Sequence, residues 1–315
     1  MAIGGYNQIR LRRIENNLVP KYNTFQSARS ALFSYLKSAK IKKIYLPSYI
    51  CDSIIPCIQE LDINIIWYEI NNKLLPTNIP KLSPSECFLI INYFGINFHR
   101  ICELHFEQAD QIIIDNSQAL FSAHIPGTTS IYSPRKFLGI PDGGWLLTDI
   151  RIETPDKTWN SEDNISHLLL RDAGEIAEGY KKFIEAENVL DDFIPHKMSK
   201  LTKHLIQCID LSEIEIKRRE NYQYLYEKLN HINEFDFKIE NNIPLCFPLH
   251  FNENISKIHK LLVSNDIFTP RYWPSQYNTD FSNKIYNNTL FLPIDERITC
   301  EKLDYICNLI IGCKQ

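Results

Sequence analysis

Lys136 lies in the segment YSPRKFLGIPDGGWLL, a turn between two β-rich runs, with Arg135 beside it and Pro141, Asp142, Gly143 and Gly144 just after. A flexible turn delivers such an amine into a cleft, and a neighbouring positive charge favours its uncharged, nucleophilic form. The same lysine serves equally as a solvated surface residue. Asp115 ends the apolar run QIIID and is followed by Gln118. A carboxylate at the end of a buried strand stands where α/β folds bind ligands, and it is costly there without a partner. A cationic ring nitrogen would be such a partner, with Gln118 reaching a ring oxygen. The other reading is an Asx turn closed with Asn116 and Ser117. In FQSARSAL, Ser27 caps a helix whose first free N–H groups, those of Ala28 and Arg29, suit a phosphate, although an ordinary capped helix explains the same residues.

These groups need a sheet to hold them. From Phe25 to about Asp149, short β-rich runs alternate with amphipathic helical ones, the pattern of helices covering a sheet. A helix through Ala31, Leu32, Tyr35 and Leu36 precedes the strand KKIYLP (42–47). A second helix through Ile54, Ile55, Ile58 and Leu61 precedes INIIWYE (63–69). CFLIINY (87–93) and QIIID (111–115) read as buried strands with a helix between them, and TSIYS (129–133) and GWLLTD (144–149) complete the sheet. From about Ser161 to Asn230 the pattern is helical, ending in EIEIKRRENYQYLYEKL, a long interdomain helix. FDFKIE and PLCFPLHF then alternate like strands, and ISKIHKLLVSND reads as a helix. The expected organisation is an N-terminal arm (1–24), a large domain (25–210), and an interdomain helix with a small α+β domain (211–315).

Composition narrows the partners. The 315 residues carry 34 Lys and Arg against 38 Asp and Glu, with no basic stripe, which argues against nucleic acid. The start MAIGGYNQIRLRR has no apolar run, and FLIINYFGI (88–96) is too short to span a bilayer, so a cytoplasmic protein without a membrane anchor is expected. Nine scattered cysteines without a C-x-x-C pair indicate neither a disulfide framework nor a zinc site. His99 and His105 are off one-face helical spacing, and no H-E-x-x-H or G-x-S-x-G occurs, so no metal and no serine-hydrolase elbow is expected.

An imine-forming amine, a carboxylate for a ring nitrogen and a phosphate cradle are together what pyridoxal 5'-phosphate (PLP) requires. In order along the chain the segments resemble the DegT/DnrJ/EryC1/StrS family of nucleotide-sugar aminotransferases. FQSARSAL is similar to its S-G-[ST]-x-A-L phosphate segment, IYLPSYICDSI to its V-P-[SA]-x-[TS] segment and NYFG (92–95) to its H-x-Y-G element. IIIDNSQALFS matches D-x-x-[QH]-[AS] at Asp115, Gln118 and Ala119, and SPRKFLGIPDGG resembles the serine, lysine and double-glycine segment. IKRRENYQYLYEKL and LFLPIDERIT are weaker echoes of an arginine-rich helix and a late strand. The resemblance covers about Phe25 to Thr299.

It implies PLP-dependent transferase fold type I: a large domain with a mainly parallel central sheet and a small C-terminal α+β domain. It places the cofactor on Lys136, which then shuttles the proton of transamination, with Asp115 at the ring nitrogen and phosphate contacts from Ser133 and the Ala28–Arg29 turn. The implied substrates are an amino-acid donor, glutamate by analogy, and a nucleotide-linked keto-sugar, in a homodimer serving cell-surface polysaccharide or secondary-metabolite sugar synthesis. The departures lie at the site. Ala28 and Arg29 replace a glycine and a hydroxyl residue, and Cys51 falls near a ring-stacking aromatic, leaving Tyr49 or Tyr93 to cover the ring. No counterpart of the G-x-N-x-R segment, through which a neighbouring subunit reaches the phosphate, is seen between Glu185 and Asp210. Other PLP chemistry on a sugar or amine, or a non-catalytic member of the family, are the alternatives. FTPRYWPSQY (268–277) sets Arg271, Tyr272 and Trp273 between prolines, either as a substrate-facing loop, with Arg271 and Trp273 in contact, or as a packed one.

Overall fold

The computed structural model describes residues 5–7, 9–14, 23–274 and 279–314. Much of the expected N-terminal arm, and Ser275 to Tyr277 of the FTPRYWPSQY segment, lie outside the described residues. The strands are β1 (Asn23–Phe25), β2 (Lys43–Pro47), β3 (Asn64–Tyr68), β4 (Glu86–Ile91), β5 (Ile112–Asn116), β6 (Thr129–Tyr132), β7 (Gly144–Leu147), β8 (Cys246–His250) and β9 (Thr289–Pro293). The helices are α1 (Ala28–Ser38), α2 (Ile55–Gln59), α3 (Phe98–Cys102), α4 (Ser166–Asp172), α5 (Ile176–Leu190), α6 (Lys200–Ile206), α7 (Leu211–Leu229), α8 (Ser256–Val263), α9 (Asp280–Asn288) and α10 (Cys300–Lys314).

The central sheet has the order β1-β7-β6-β5-β4-β2-β3. Strands β3, β2, β4, β5 and β6 run parallel, and β7 and β1 close one edge antiparallel. A parallel sheet is covered on both faces, which is why β4 (ECFLII) is buried at every position. The period-two alternation divides its side chains: Leu89, Ile91, Ile113 and Ile131 enter the main core, whereas Phe88, Ile90, Ile112 and Ile114 pack with Leu75, Leu82 and Ile101 on the other face. Asp115 follows Ile113 by two residues and shares its face.

The second sheet, β8 paired antiparallel with β9, contributes Phe247, Leu249, Leu290 and Leu292 to that same main core, together with Leu225 of α7 and Leu303 and Ile310 of α10. The fold is thus an α/β unit with a mainly parallel central sheet and a smaller C-terminal α+β part. Helix α7 begins where Asp210 Oδ1 accepts hydrogen bonds from Ser212 N and Glu213 N at 3.0 and 3.2 Å.

FDFKIE departs from the strand expected of it. Phe235, Phe237 and Ile239 are buried and Asp236, Lys238 and Glu240 exposed, as the alternation requires, yet the segment joins no sheet. Its carbonyl at Phe237 accepts a hydrogen bond from the Tyr222 hydroxyl at 2.7 Å instead of a ladder partner. Alternation fixes which residues face inward and says nothing of a neighbour for the backbone.

One close approach sets the position of the helix that opens the site. A Cβ on Gly144 would lie 2.0 Å from the carbonyl of Ser27 and 2.4 Å from the nitrogen of Ala28, so β7 meets the start of α1 backbone to backbone. Gly143 N donates to Gln26 O at 2.7 Å beside it.

Candidate active site

A cavity of about 870 Å³ opens at the carboxyl ends of β4, β5 and β6, where the apolar wall is Leu89, Ile91 and Ile131. Parallel α/β sheets bind ligands at this end because strand carboxyl termini and the helix starts that follow them converge there. Ala28 and Arg29 at the start of α1, Asp115 and Gln118 after β5, and Ser133 and Lys136 after β6 all line it. Six residues from three separated segments therefore meet in one space.

Asp115 closes the Asx turn and still lines the cavity. Oδ1 accepts from Ser117 N at 2.8 Å, an Asx turn, while among the described residues Oδ2 has no partner and the side chain faces the cavity. Gln118 is 1% exposed, and Phe94 N donates to its Oε1 at 3.2 Å. That bond fixes the amide orientation, leaving Nε2 as a buried donor with no partner among the described residues. The donor Phe94 N is aimed by a left-handed backbone at Phe94 (φ 57°) and Gly95 (φ 69°). A Cβ on Gly95 would sit 2.8 Å from Ile243 O and 3.0 Å from Gln118 O, so the residue must be glycine. A buried, oriented, unpaired N–H at a cavity wall calls for an acceptor from the cavity.

Ser133 is 7% exposed, and among the described residues its hydroxyl meets no partner. Ser27, by contrast, spends its hydroxyl on the helix, accepting from Ser30 N at 3.2 Å, and the N–H groups of Ala28 and Arg29 have no partner among the described residues. Lys136 is exposed to the cavity and enters no ion pair among the described residues. The short helical turn Pro134–Lys136 is held by Lys136 N donating to Ser133 O at 3.2 Å and Phe137 N to Pro134 O at 3.0 Å.

Three predicted contacts stand elsewhere. Tyr49 and Tyr93 are fully buried and outside the cavity lining, stacked on each other at 5.5 Å. Their hydroxyls donate to Tyr272 O at 2.8 Å and Tyr49 O at 2.5 Å. Burial pushes both phenols well above their ordinary range. Neither ring is free to cover a ligand. The aromatic that does reach the cavity is Trp273, whose ring is 5.1 Å from that of Tyr49. Arg271 turns away, donating to Tyr286 O at 2.8 Å with its guanidinium 4.4 Å from the Tyr286 ring, and does not line the cavity. This is the packed-loop arrangement.

Two residues of α5 and its cap were not anticipated. Glu187 and Asp191 line the cavity and pair with Arg135 and Arg29. Their spacing of four on a charged helix is a signal for one shared face, though nothing local tells which face meets partners 52 and 162 residues earlier in the chain. Cys51, Asp52 and Ser53 also line the wall.

The architecture defines a class, the fold shared by PLP-dependent aminotransferases of fold type I. Among solved structures the chain is similar to the sugar aminotransferase CalS13 from Micromonospora echinospora (12% identity, 93% of this chain and 87% of that one, TM-score 0.64). It is similar also to a DegT DnrJ EryC1 StrS aminotransferase from Brucella abortus (13% identity, 93% and 85%, TM-score 0.63). The PLP form of the sugar aminotransferase Spr1654 from Streptococcus pneumoniae matches over 92% of this chain and 86% of its own at 13% identity, TM-score 0.63. No family model and no curated protein matches the sequence. Among the described residues no helix is long and apolar enough to cross a membrane.

Proposed function

We propose that this chain is a PLP-dependent aminotransferase that moves an amino group from an amino acid, glutamate by the family resemblance, to a nucleotide-linked keto-sugar. The observation that carries the reading is the amide of Gln118. It is buried, fixed by Phe94 N, and left with one unpaired donor on the same wall as the free oxygen of Asp115 and the unpaired amine of Lys136. A donor, an anionic acceptor and a primary amine match the ring oxygen, the ring N–H and the aldehyde of one molecule. The unpaired hydroxyl of Ser133 and the free N–H groups of Ala28 and Arg29 fit its phosphate.

When bound, PLP supplies an electron sink for the negative charge that develops at the carbon bearing the amine. The protein's own part is positional and acid–base. With PLP bound, Asp115 Oδ2 would hold a proton on the ring nitrogen, Gln118 Nε2 would donate to the ring oxygen, and Lys136 would be the attachment residue. The Lys136 amine would also carry the proton removed from the donor's α-carbon. Leu89, Ile91 and Ile131 present an apolar floor that excludes water from this transfer. Trp273 offers a flat face in the cavity lining for a substrate ring, whereas Arg271 is held against Tyr286. A division into a large domain (25–210) and a small C-terminal one (211–315), a homodimeric state, a cytoplasmic location and a role in polysaccharide or secondary-metabolite sugar synthesis belong to the same proposal. They rest on the resemblance.

The test is an absorbance spectrum of purified protein with PLP, before and after glutamate. A visible band that falls on glutamate addition is the expected outcome, and a protein that takes up no PLP would overturn the reading.

A further inference from the structure

We propose that Arg29 and Arg135 form a two-arginine seat for a phosphoryl group, and that Glu187 and Asp191 are its competing counter-charges, which a phosphorylated ligand must displace. The inference rests on the proposed PLP reading for the identity of one ligand, but its chemistry concerns any phosphate monoester. Both arginines line the cavity with side chains only 13% and 14% exposed. Arg29 Nη1 contacts Asp191 Oδ1 at 2.6 Å and Arg29 Nη2 donates to Leu190 O at 2.8 Å, at the carboxyl end of α5. Arg135 Nη2 pairs with Glu187 Oε1. Arg135 Nε is buried and has no partner among the described residues, so the fork has a donor in reserve.

Geometry brings the two arginines together. Glu187 and Asp191 are one helical turn apart, which sets their Cβ atoms about 5–6 Å from each other on one face. The two guanidinium groups therefore reach one face at the end of α5, and both side chains line the same cavity. The unpaired hydroxyl of Ser133 and the free first-turn N–H groups of α1, an eleven-residue helix, line the same cavity. Charge supplies the rest. Glu187 and Asp191 hold both arginines, so a phosphoryl dianion arriving with these pairs intact meets carboxylates already on the two forks. Exchange of carboxylate for phosphate on each arginine keeps charge-assisted hydrogen bonds and removes that repulsion. Asp191 and Glu187 are 64% and 36% exposed, so both have water to move into, whereas the arginines do not. A ligand lacking the phosphate gains nothing from the exchange.

The experiment is equilibrium binding by calorimetry of inorganic phosphate, PLP and pyridoxal to the full chain, wild type and Glu187→Gln/Asp191→Asn. The variant should bind phosphate and PLP about tenfold more tightly, a typical gain for removing a competing charge at a partly buried pair, with pyridoxal unchanged. Arg135→Gln should do the reverse, weakening phosphate and PLP and sparing pyridoxal. Unchanged or weaker phosphate binding in the carboxylate variant, or equal tightening of pyridoxal, overturns the seat. Should the double variant fold poorly, Glu187→Gln alone carries the same test. Inorganic phosphate contains no aldehyde, so its result stands whether or not PLP is the cofactor. Phosphate binding that vanishes after borohydride-fixed PLP loading assigns the seat to the cofactor. Binding that persists and is competed by a nucleoside diphosphate assigns it to the substrate.

Discussion

Asp115 and Asp142 flank the Lys136 turn and differ in one respect that separates scaffold from site. Asp142 is fully buried and both its oxygens are used: Ser199 N donates to Oδ2 at 2.8 Å, Ser199 Oγ to Oδ1 at 2.7 Å, and Thr202 Oγ1 to Oδ1 as well. It ties the loop before β7 to the start of α6. Asp115 is half-buried, spends one oxygen on Ser117 N and presents the other to the cavity. A carboxylate whose partners are all internal holds structure, and one with capacity left at a cavity wall is available to a ligand. The same contrast runs between Ser27, whose hydroxyl caps α1, and Ser133, whose hydroxyl has no partner among the described residues.

Substitutions should break the two roles apart. Lys136→Ala should lower turnover by on the order of a thousandfold or more while leaving the melting temperature nearly unchanged, since the side chain is exposed and enters no ion pair among the described residues. Steady-state kinetics and thermal melts check both halves. Asp115→Asn should reduce turnover about a hundredfold, with cofactor loading within about twofold and stability near wild type. Near-normal turnover in that variant would place Asp115 with the scaffold. Asp142→Ala should cost about 3 kcal/mol of stability, because it strands Ser199 N and two hydroxyls in the interior. Denaturant titration measures it.

The smallest effect is a pH dependence. Burial pushes the Asp142 carboxyl above its ordinary 3.8, against the hydrogen bonds from Ser199 and Thr202 that lower it. The folded state therefore holds this proton to higher pH than the unfolded chain does. Its contribution to stability is complete below 3.8 and declines as pH rises through the raised value. Asp142→Asn should flatten the stability profile above pH 3.8 relative to wild type. An unaltered slope would contradict the burial argument.

What the sequence revealed follows the range of the forces involved. Buried parallel strands are continuous apolar runs, so β4 and β5 were legible, and Ser27 announced α1 by its own capping hydroxyl. The family resemblance grouped Asp115, Gln118, Ser133 and Lys136, and their places after β5 and β6 bring them to one cavity. Where a residue's role depends on a distant neighbour, local pattern was silent. FDFKIE alternates correctly and has no strand beside it among the described residues. Helix α9, DFSNKIYNN, has few strong helix formers and is set by the Thr279 cap and the burial of Ile285. Tyr49 and Tyr93 carry the right rings, but their hydroxyls are claimed by Tyr272 O and Tyr49 O. Glu187 and Asp191 belong to a charged helix that reads as solvated until the fold carries its end to the cavity.

The most direct test of the account is to load the protein with PLP, reduce it with borohydride and map the modified peptide. A single labelled site at Lys136, within the peptide containing SPRKFLGIPDGG, is the expected result. Labelling at any other lysine, or none, would contradict it.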